Sequence, residues 1–284
     1  MNMEKWGRFR LENVVCRMDE VVFGLKVPFD FGFLRKYGRV FKVFDDQDSG
    51  NICFGMERGG VRRFVKFAGA PTLRGGIAPE EAVRNLRSTE PVYKALQHGN
   101  LIHLLEAEEI GGGFAMVFEW TDAECMGRMY PESRAKFMAM SMEKKLQVFA
   151  DVQRFLGHVA RSGYVAIDFY DGSIMYDFGR EKTMICDIDF FRPQPCVNDM
   201  GRMWGSARFM SPEEFELGAA LDEVTNVYTL GATAFALFAD GVRSRESWPL
   251  GEASYRAATQ AVCPERSGRQ QSIREFMEAW RAAL

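Results

Sequence analysis

The chain has 284 residues, 47% of them hydrophobic and 26% charged, with a net charge of -3, enough for two modest folded units with cores of their own. So small a negative charge gives no electrostatic case for nucleic acid or an anionic membrane as partner. No apolar run approaches the roughly 20 residues of a membrane span, and the first eight residues lack the apolar core of a secretory signal, so a cytoplasmic location is expected.

In chain order, residues 1–35 show mixed patterning and are expected to form an N-terminal extension packed on the first lobe. Alternating apolar runs predict strands over 40–44, 52–56 and 63–67, with turns at 45–51 and at Gly59-Gly60, an antiparallel meander. A helix is predicted over 79–96, with Pro91 as a break, followed by strands over 102–107 and 114–120. From Glu143 the pattern becomes helical: Leu146, Phe149, Val152, Leu156 and Val159 recur at three- and four-residue spacing and make one apolar face. Segments 227–238 and 273–284 read as helices too. The expected class is α+β, with a β-rich domain over 36–120 joined near 119–121 to a helical domain over 121–284. The six cysteines form no Cys-x-x-Cys pair and the three histidines have no helical spacing, which argues against zinc, disulfide or histidine-based chemistry.

Two acids stand out. Asp168 lies in a polar turn after 163–167, and Asp187 lies just past the short apolar strand 183–186. Brought together by a hairpin, they would serve as a base and a hard metal ligand for phosphoryl transfer. This stretch resembles the protein kinase superfamily, whose pattern is H-R-D, four residues, Asn, a strand and D-F-G. Asp168 stands at the first aspartate, Ser173 at the asparagine, and Asp187-Ile188-Asp189 at D-F-G. Lys66 in Phe-Val-Lys-Phe stands at the lysine of V-A-I-K, with Glu90 as its helix partner. The segment 205–213 resembles G-T-x-x-Y-x-A-P-E, and 226–231 resembles D-x-W-S-L-G with Asn226 for the aspartate. Residues 269–272 are similar to the R-Y-Q-S of bacterial eukaryotic-like Ser/Thr kinases, and Arg269 is expected to pair with Glu213.

The resemblance covers about residues 39–284. It implies a two-lobed protein-kinase-like fold, with a five-stranded antiparallel N-lobe carrying one helix and a mostly helical C-lobe. It also implies ATP and Mg2+ as cofactors and a Ser/Thr protein as substrate, with neither nucleic acid nor membrane as partner. Asp168, Lys66 and Glu90 would be catalytic. Lys66, Gln47, Ser49, Gly50, Glu119 and Thr121 would bind nucleotide, and Asp187, Ser173 and Asp189 would hold metal.

Several positions depart from the pattern. Ala166 and Ile167 replace His-Arg, removing the basic receiver for a loop phosphate, and Tyr170 replaces a lysine near the transferred phosphate. The phosphate-covering turn reads Phe-Asp-Asp-Gln-Asp-Ser-Gly-Asn over 44–51, which brings Asp45, Asp46 and Asp48 toward phosphates. A second register would place that turn at 34–40, but the first leaves room for two strands before Lys66. These departures keep two other readings open. One is a pseudokinase that binds and regulates without turnover. The other is a small-molecule phosphotransferase of the aminoglycoside or sugar kinase kind, against which the 205–213 segment argues.

Overall fold

The computed structural model describes residues 14–284. The chain divides into two compact units, one running up to Glu90 and including His103–Trp120, the other made of Pro91–Ile102 and Thr121–Leu284. Both strands and helices are present, so the class is α+β.

The first unit begins with a hairpin, β1 (Val14–Met18) and β2 (Val21–Leu25). Asp19 turns it with φ 53°, a left-handed conformation that aspartate tolerates, and its carboxylate accepts the Val40 N–H at 2.8 Å. The main sheet holds β3 (Arg39–Phe44), β4 (Asn51–Arg58), β5 (Val61–Ala68), β6 (Leu104–Ile110) and β7 (Gly113–Glu119). Its order is β3-β4-β5-β7-β6, every pairing antiparallel. The meander therefore has its turn at 45–50, and two strands precede the one that carries Lys66. Gly38, which the second register would have placed in the phosphate turn, instead enters β3. A Cβ there would stand 2.2 Å from the Glu57 carbonyl oxygen, and φ is 129°, so only glycine fits.

Alternation along β5 sends Val65 and Phe67 into a core with Ile52, Phe54, Phe23, Leu25, Phe31 and Leu34. Each such side chain contributes about 1.5–3 kcal/mol when fully buried. Residues 14–35 are thus part of this core; the rest of the expected extension, residues 1–13, lies outside the described residues.

Helix α1 (Pro79–Ala95) starts with proline at its first position and Glu80 and Glu81 in its first turn, which suit the helix dipole. It continues through Pro91, where a break was expected, although proline there gives up one backbone hydrogen bond. Residues 91–102 belong to the second unit. Ile185 N–H donates to Asn100 O at 2.6 Å, Ile102 N–H to Ile185 O at 2.9 Å, and Asn100 Nδ2 to Thr183 O at 2.9 Å. Those backbone bonds remove 91–102 from the domain expected over 36–120.

The second unit is built around α3 (Met142–Arg161) and α4 (Glu223–Ala239), preceded by β8 (Glu124–Cys125) and α2 (Pro131–Met138). Of the predicted α3 stripe, Phe149, Val152, Leu156 and Val159 are fully buried, while Leu146 is half-buried. Helix α4 is buried along its whole length from Val224, as expected of a helix apolar all round. Helices α5 (Glu252–Ala261) and α6 (Ile273–Ala282) pack beside it. A Cβ at Gly231 would meet the Ala261 methyl at 2.6 Å, so glycine sets the approach of α4 to α5. No helix among the described residues is long and apolar enough to cross a membrane.

Two neighbouring glutamates are buried beside α4. Arg269 reaches Glu213 through both guanidinium nitrogens, at 2.7 and 2.9 Å, the pair expected from the sequence. Glu214 caps its own short turn, accepting from Ser211 N–H at 2.7 Å and Ser211 Oγ at 2.8 Å. Burial outweighs those bonds and pushes Glu214 from its usual 4.5 up to about 7. Between those values the folded chain holds more protons than the unfolded one, so this group makes stability fall as pH rises from 4.5 to about 7. Glu214→Gln should remove that component. Urea unfolding at a series of pH values should show the variant gaining on the parent by up to about 3 kcal/mol across the window. A constant difference would show that Glu214 does not titrate there.

Candidate functional site

In the first unit Lys66 lies on β5, the central strand of five, where its Cα partners are Cys53 on β4 and Met116 on β7. A solvated edge lysine is thereby ruled out. Residues directly opposite share a face of the sheet, so the Met116 side chain projects on the Lys66 side. The Thr89 Oγ1 to Met116 Sδ contact of 3.2 Å brings the Thr89–Glu90 turn of α1 onto that same face.

The 45–50 turn is held by the protein itself. Asp45 Oδ2 accepts the Gly24 N–H at 2.8 Å, and Asp46 pairs with Arg74 at 2.5 Å. The charge of Asp46 is thereby opposed within the unit, and Asp45 is held by a backbone donor. Ser49 Oγ accepts from Asn51 Nδ2 at 3.2 Å. Gly50, with φ 79°, is pressed against α1: a Cβ there would lie 3.0 Å from the Ala82 methyl and 3.1 Å from Ile77 Cγ1. Gln47 is half-buried in the same turn. At the end of β7, Glu119 faces the His103 ring at 3.1 Å, and its N–H closes the ladder to His103 O.

In the second unit, Thr121 Oγ1 accepts the Ala123 N–H at 3.1 Å. Strands β9 (Tyr164–Val165), β10 (Ile174–Asp177) and β11 (Lys182–Ile185) frame the two acids. Cys186 N–H donates to Ser173 O at 2.9 Å, which ties the residue before Asp187 to the end of the Asp168 loop. Both Asp168 (φ 61°) and Asp187 (φ 55°) sit in left-handed backbone, a conformation that few non-glycine residues adopt. The loop is fixed from beneath by Asn226 on α4, fully buried, whose Oδ1 accepts the Ala166 N–H at 2.7 Å and whose Nδ2 donates to Tyr164 O at 3.0 Å. An asparagine satisfies a donor and an acceptor at once. A carboxylate would have no N–H for Tyr164 O.

Ser173 is fully buried, and its Oγ has no hydrogen-bond partner among the described residues. Asp187 is exposed. Asp189 Oδ1 accepts from the Tyr93 hydroxyl at 3.2 Å, and Ile188 between the two acids is fully buried. Among the described residues no group of three or more His, Cys, Asp and Glu is gathered to hold a metal ion. Tyr170 folds over Gly172, where a Cβ would stand 2.3 Å from the ring. Burial, then the Asp187 and Asp168 carboxylates, raise its phenol far above the usual range, so it remains neutral. Burial pushes the Cys125 thiol up to about 11, and Cys125 Sγ donates to Gly172 O at 3.2 Å.

Reasoning from sequence missed Asp171, buried at 1% exposure and held by Arg134 at 2.9 Å and Arg208 at 2.8 Å. This carboxylate fastens the 205–213 segment, through Arg208, to the loop of Asp168. Its signal in the sequence was faint, a third acid in a run already rich in them. A Cβ on Gly205 would stand 3.3 Å from Met210 Cγ and Sδ and 3.4 Å from Asp168 Oδ1, so the same segment passes directly alongside that carboxylate.

No family model matches the chain. The serine/threonine-protein kinase PksC of Streptomyces coelicolor is 24% identical to it over 210 residues, which is 70% of this chain and 37% of that protein. The chain thus matches little more than a third of its relative's length. This similarity supports a kinase-like relationship, and the mixed α+β architecture with its antiparallel sheet is compatible with a kinase-like fold.

Proposed function

We propose that the chain is a phosphotransferase with the two-lobed protein kinase fold, using ATP and magnesium to phosphorylate serine or threonine of a protein. The observation that carries this reading is that Asp168 and Asp187, both in left-handed backbone, stand on loops tied to each other by the Cys186 N–H to Ser173 O bond. Such conformations persist where the surroundings over-determine them and they cluster at functional sites.

In this reading Asp168 accepts or orients the proton of the attacking hydroxyl. Lys66, with Glu90, holds phosphate oxygens, and the 45–50 turn with Glu119 and Thr121 contacts the nucleotide. Asp187 and the buried, unpartnered Ser173 Oγ offer hard oxygen donors that fit magnesium, with Asp189 as a further ligand. A magnesium ion held by these oxygens would supply positive charge to offset the negative charge that builds on the transferred phosphoryl group.

A second reading, a nucleotide-binding module without turnover, is favoured by the packed Gly50, the Tyr93 bond on Asp189 and the neutral Tyr170. Thermal unfolding with ATP and magnesium, alongside phosphate transfer to a panel of peptides, separates the two. Nucleotide at 100 times its Kd should stabilise the chain by about 2.7 kcal/mol. Stabilisation with transfer supports the first reading, and stabilisation alone supports the second. The absence of both would sink each of them, and a metabolite phosphorylated far faster than any peptide would move the substrate class.

A further inference from the structure

The turn at 98–102 closes on a histidine ring. Asn100 N–H donates to His98 Nδ1 at 3.2 Å, and Leu101 N–H donates to His98 O at 3.0 Å. A ring nitrogen that accepts carries no proton, so the neutral His98 ring has its proton on Nε2. The same Asn100 holds β11 twice: its carbonyl accepts the Ile185 N–H at 2.6 Å, and its Nδ2 donates to Thr183 O at 2.9 Å. Ile185 stands two residues before Asp187. The bond to His98 thus fixes the peptide that anchors the strand leading to Asp187, and turn, strand and α3 all belong to the second unit.

The surroundings of this ring disfavour a second proton. The His158 ring of α3 lies 5.4 Å away, tilted by 31°, and Phe155 meets His98 edge to face at 5.6 Å. His158 Nε2 is buried with no hydrogen-bond partner among the described residues. Of the charged groups on α3 that act on His98, Arg154 and Arg161 are cations, and the carboxylate, Asp151, is already paired with Arg154. Strand β11 presents the uncharged Thr183 and Ile185, and the segment of His98 itself carries Lys94 four residues earlier. Burial first, then His158 and the arginines, hold His98 below the usual 6.5, and burial with Arg161 does the same to His158. An imidazolium donates from both nitrogens, so a protonated ring would set Nδ1–H against the Asn100 N–H.

We propose that His98 is an acid-released latch: neutral, it holds the 98–102 turn closed on β11, and protonated, it drops the Asn100 N–H and loosens the strand that leads to Asp187. Between the lowered value and 6.5 the unlatched chain binds more protons than the latched one. The hold on β11 is therefore complete above 6.5 and is lost as pH falls toward the lowered value. The latch does not depend on the transferase reading; only its effect on transfer does.

Amide hydrogen exchange of the full chain, read as protection factors between pH of about 8 and about 5, tests it. Protection at Ile185 and Ile102, relative to the amides of α4, should fall about fivefold on the acid side, the worth of one hydrogen bond. Magnetic resonance of the three histidine rings should show His98 taking its proton below 6.5. In His98→Asn the side-chain oxygen can accept the N–H two residues on, as asparagine does in turns, and it does not titrate. H98N should keep the neutral-pH protection and lose the acid response, whereas His98→Phe, a ring without an acceptor, should show the released level at every pH. The parent measurements need no variant, so a fold lost in H98N leaves them decisive. Protection at Ile185 and Ile102 that stays level with pH in the parent, a His98 ring that takes its proton at 6.5 or above, or an acid response that survives in H98N would each overturn the latch. Phosphate transfer, followed over the same range, should fall with the Ile185 protection. Protection that falls in a chain that transfers no phosphate would uphold the latch and overturn only the transferase reading.

Discussion

Asp168→Asn is expected to lower phosphate transfer by about 10²–10⁴-fold, the usual contribution of a positioned general base, with the thermal midpoint and nucleotide affinity close to those of the parent. The choice of asparagine follows from the backbone. At φ 61° an alanine would add conformational strain to the loss of the carboxylate, whereas asparagine enters left-handed conformations about as readily as aspartate. Its side chain also has nearly the same shape beside Gly205, so the 205–213 segment has no reason to move. What changes is the acceptor: an amide cannot take the hydroxyl proton. Radiolabel incorporation per minute into the best peptide of the panel, parent against variant, measures it. Incorporation within a factor of two or three of the parent would remove Asp168 from the base role.

The sequence made the first unit's sheet legible because its signal is local. Residues 39–68 alternate along each strand, and Ser49-Gly50 and Gly59-Gly60 mark the turns. The α3 stripe was legible for the same reason: Phe149, Val152, Leu156 and Val159 repeat with the helical period and all face the core. Long-range effects were less visible. Pro91 suggested a break because the cost of proline in a helix is local, while the bonds from 100–102 to Thr183 and Ile185 that claim the following segment depend on residues more than eighty positions away. Asp45 and Asp46 read as a negative fringe because Gly24 and Arg74, which satisfy them, are distant in sequence.

The candidate site divides along the same line. The resemblance to the kinase pattern singled out Asp168, Ser173 and Asp187, but no residue type announces a positive φ, so the left-handed backbone that both acids adopt was invisible until the structure was seen. The loss of His-Arg at 166 and 167 pointed to a segment with no internal anchor. Asp171 supplies one, through Arg208, and Ile167 is fully buried. The fastening therefore needs no added phosphate, because the Asp171 carboxylate already supplies the negative charge that such a modification would bring.

Arg269→Ala carries the largest stability cost we expect, about 3–5 kcal/mol, because it strands a buried carboxylate. Arg269 is fully buried, its partner Glu213 is 4% exposed, and the contact is a two-pronged one at 2.7 and 2.9 Å. The guanidinium also donates to Cys263 O and Pro264 O, so the truncation leaves two carbonyls unpaired as well. Arg266, 2.8 Å from Glu213, still opposes the exposed charge and should hold the loss near the lower end of that range. Lysine is a poor substitute, since a single ammonium cannot make the fork. Removing both charges, in Glu213→Gln with Arg269→Met, should cost less than the sum of the single changes. Urea unfolding of the four proteins gives the coupling directly. Acid adds an independent check. Burial alone would raise the Glu213 pKa, but the Arg269 bonds outweigh it and hold it below the usual 4.5. The pair's stabilisation is therefore complete above 4.5 and is lost as pH falls through the lowered value. In Arg269→Ala that acid-dependent loss should shrink. A variant that unfolds within about 1 kcal/mol of the parent and keeps the parent's acid slope would show that Arg266 alone neutralises Glu213.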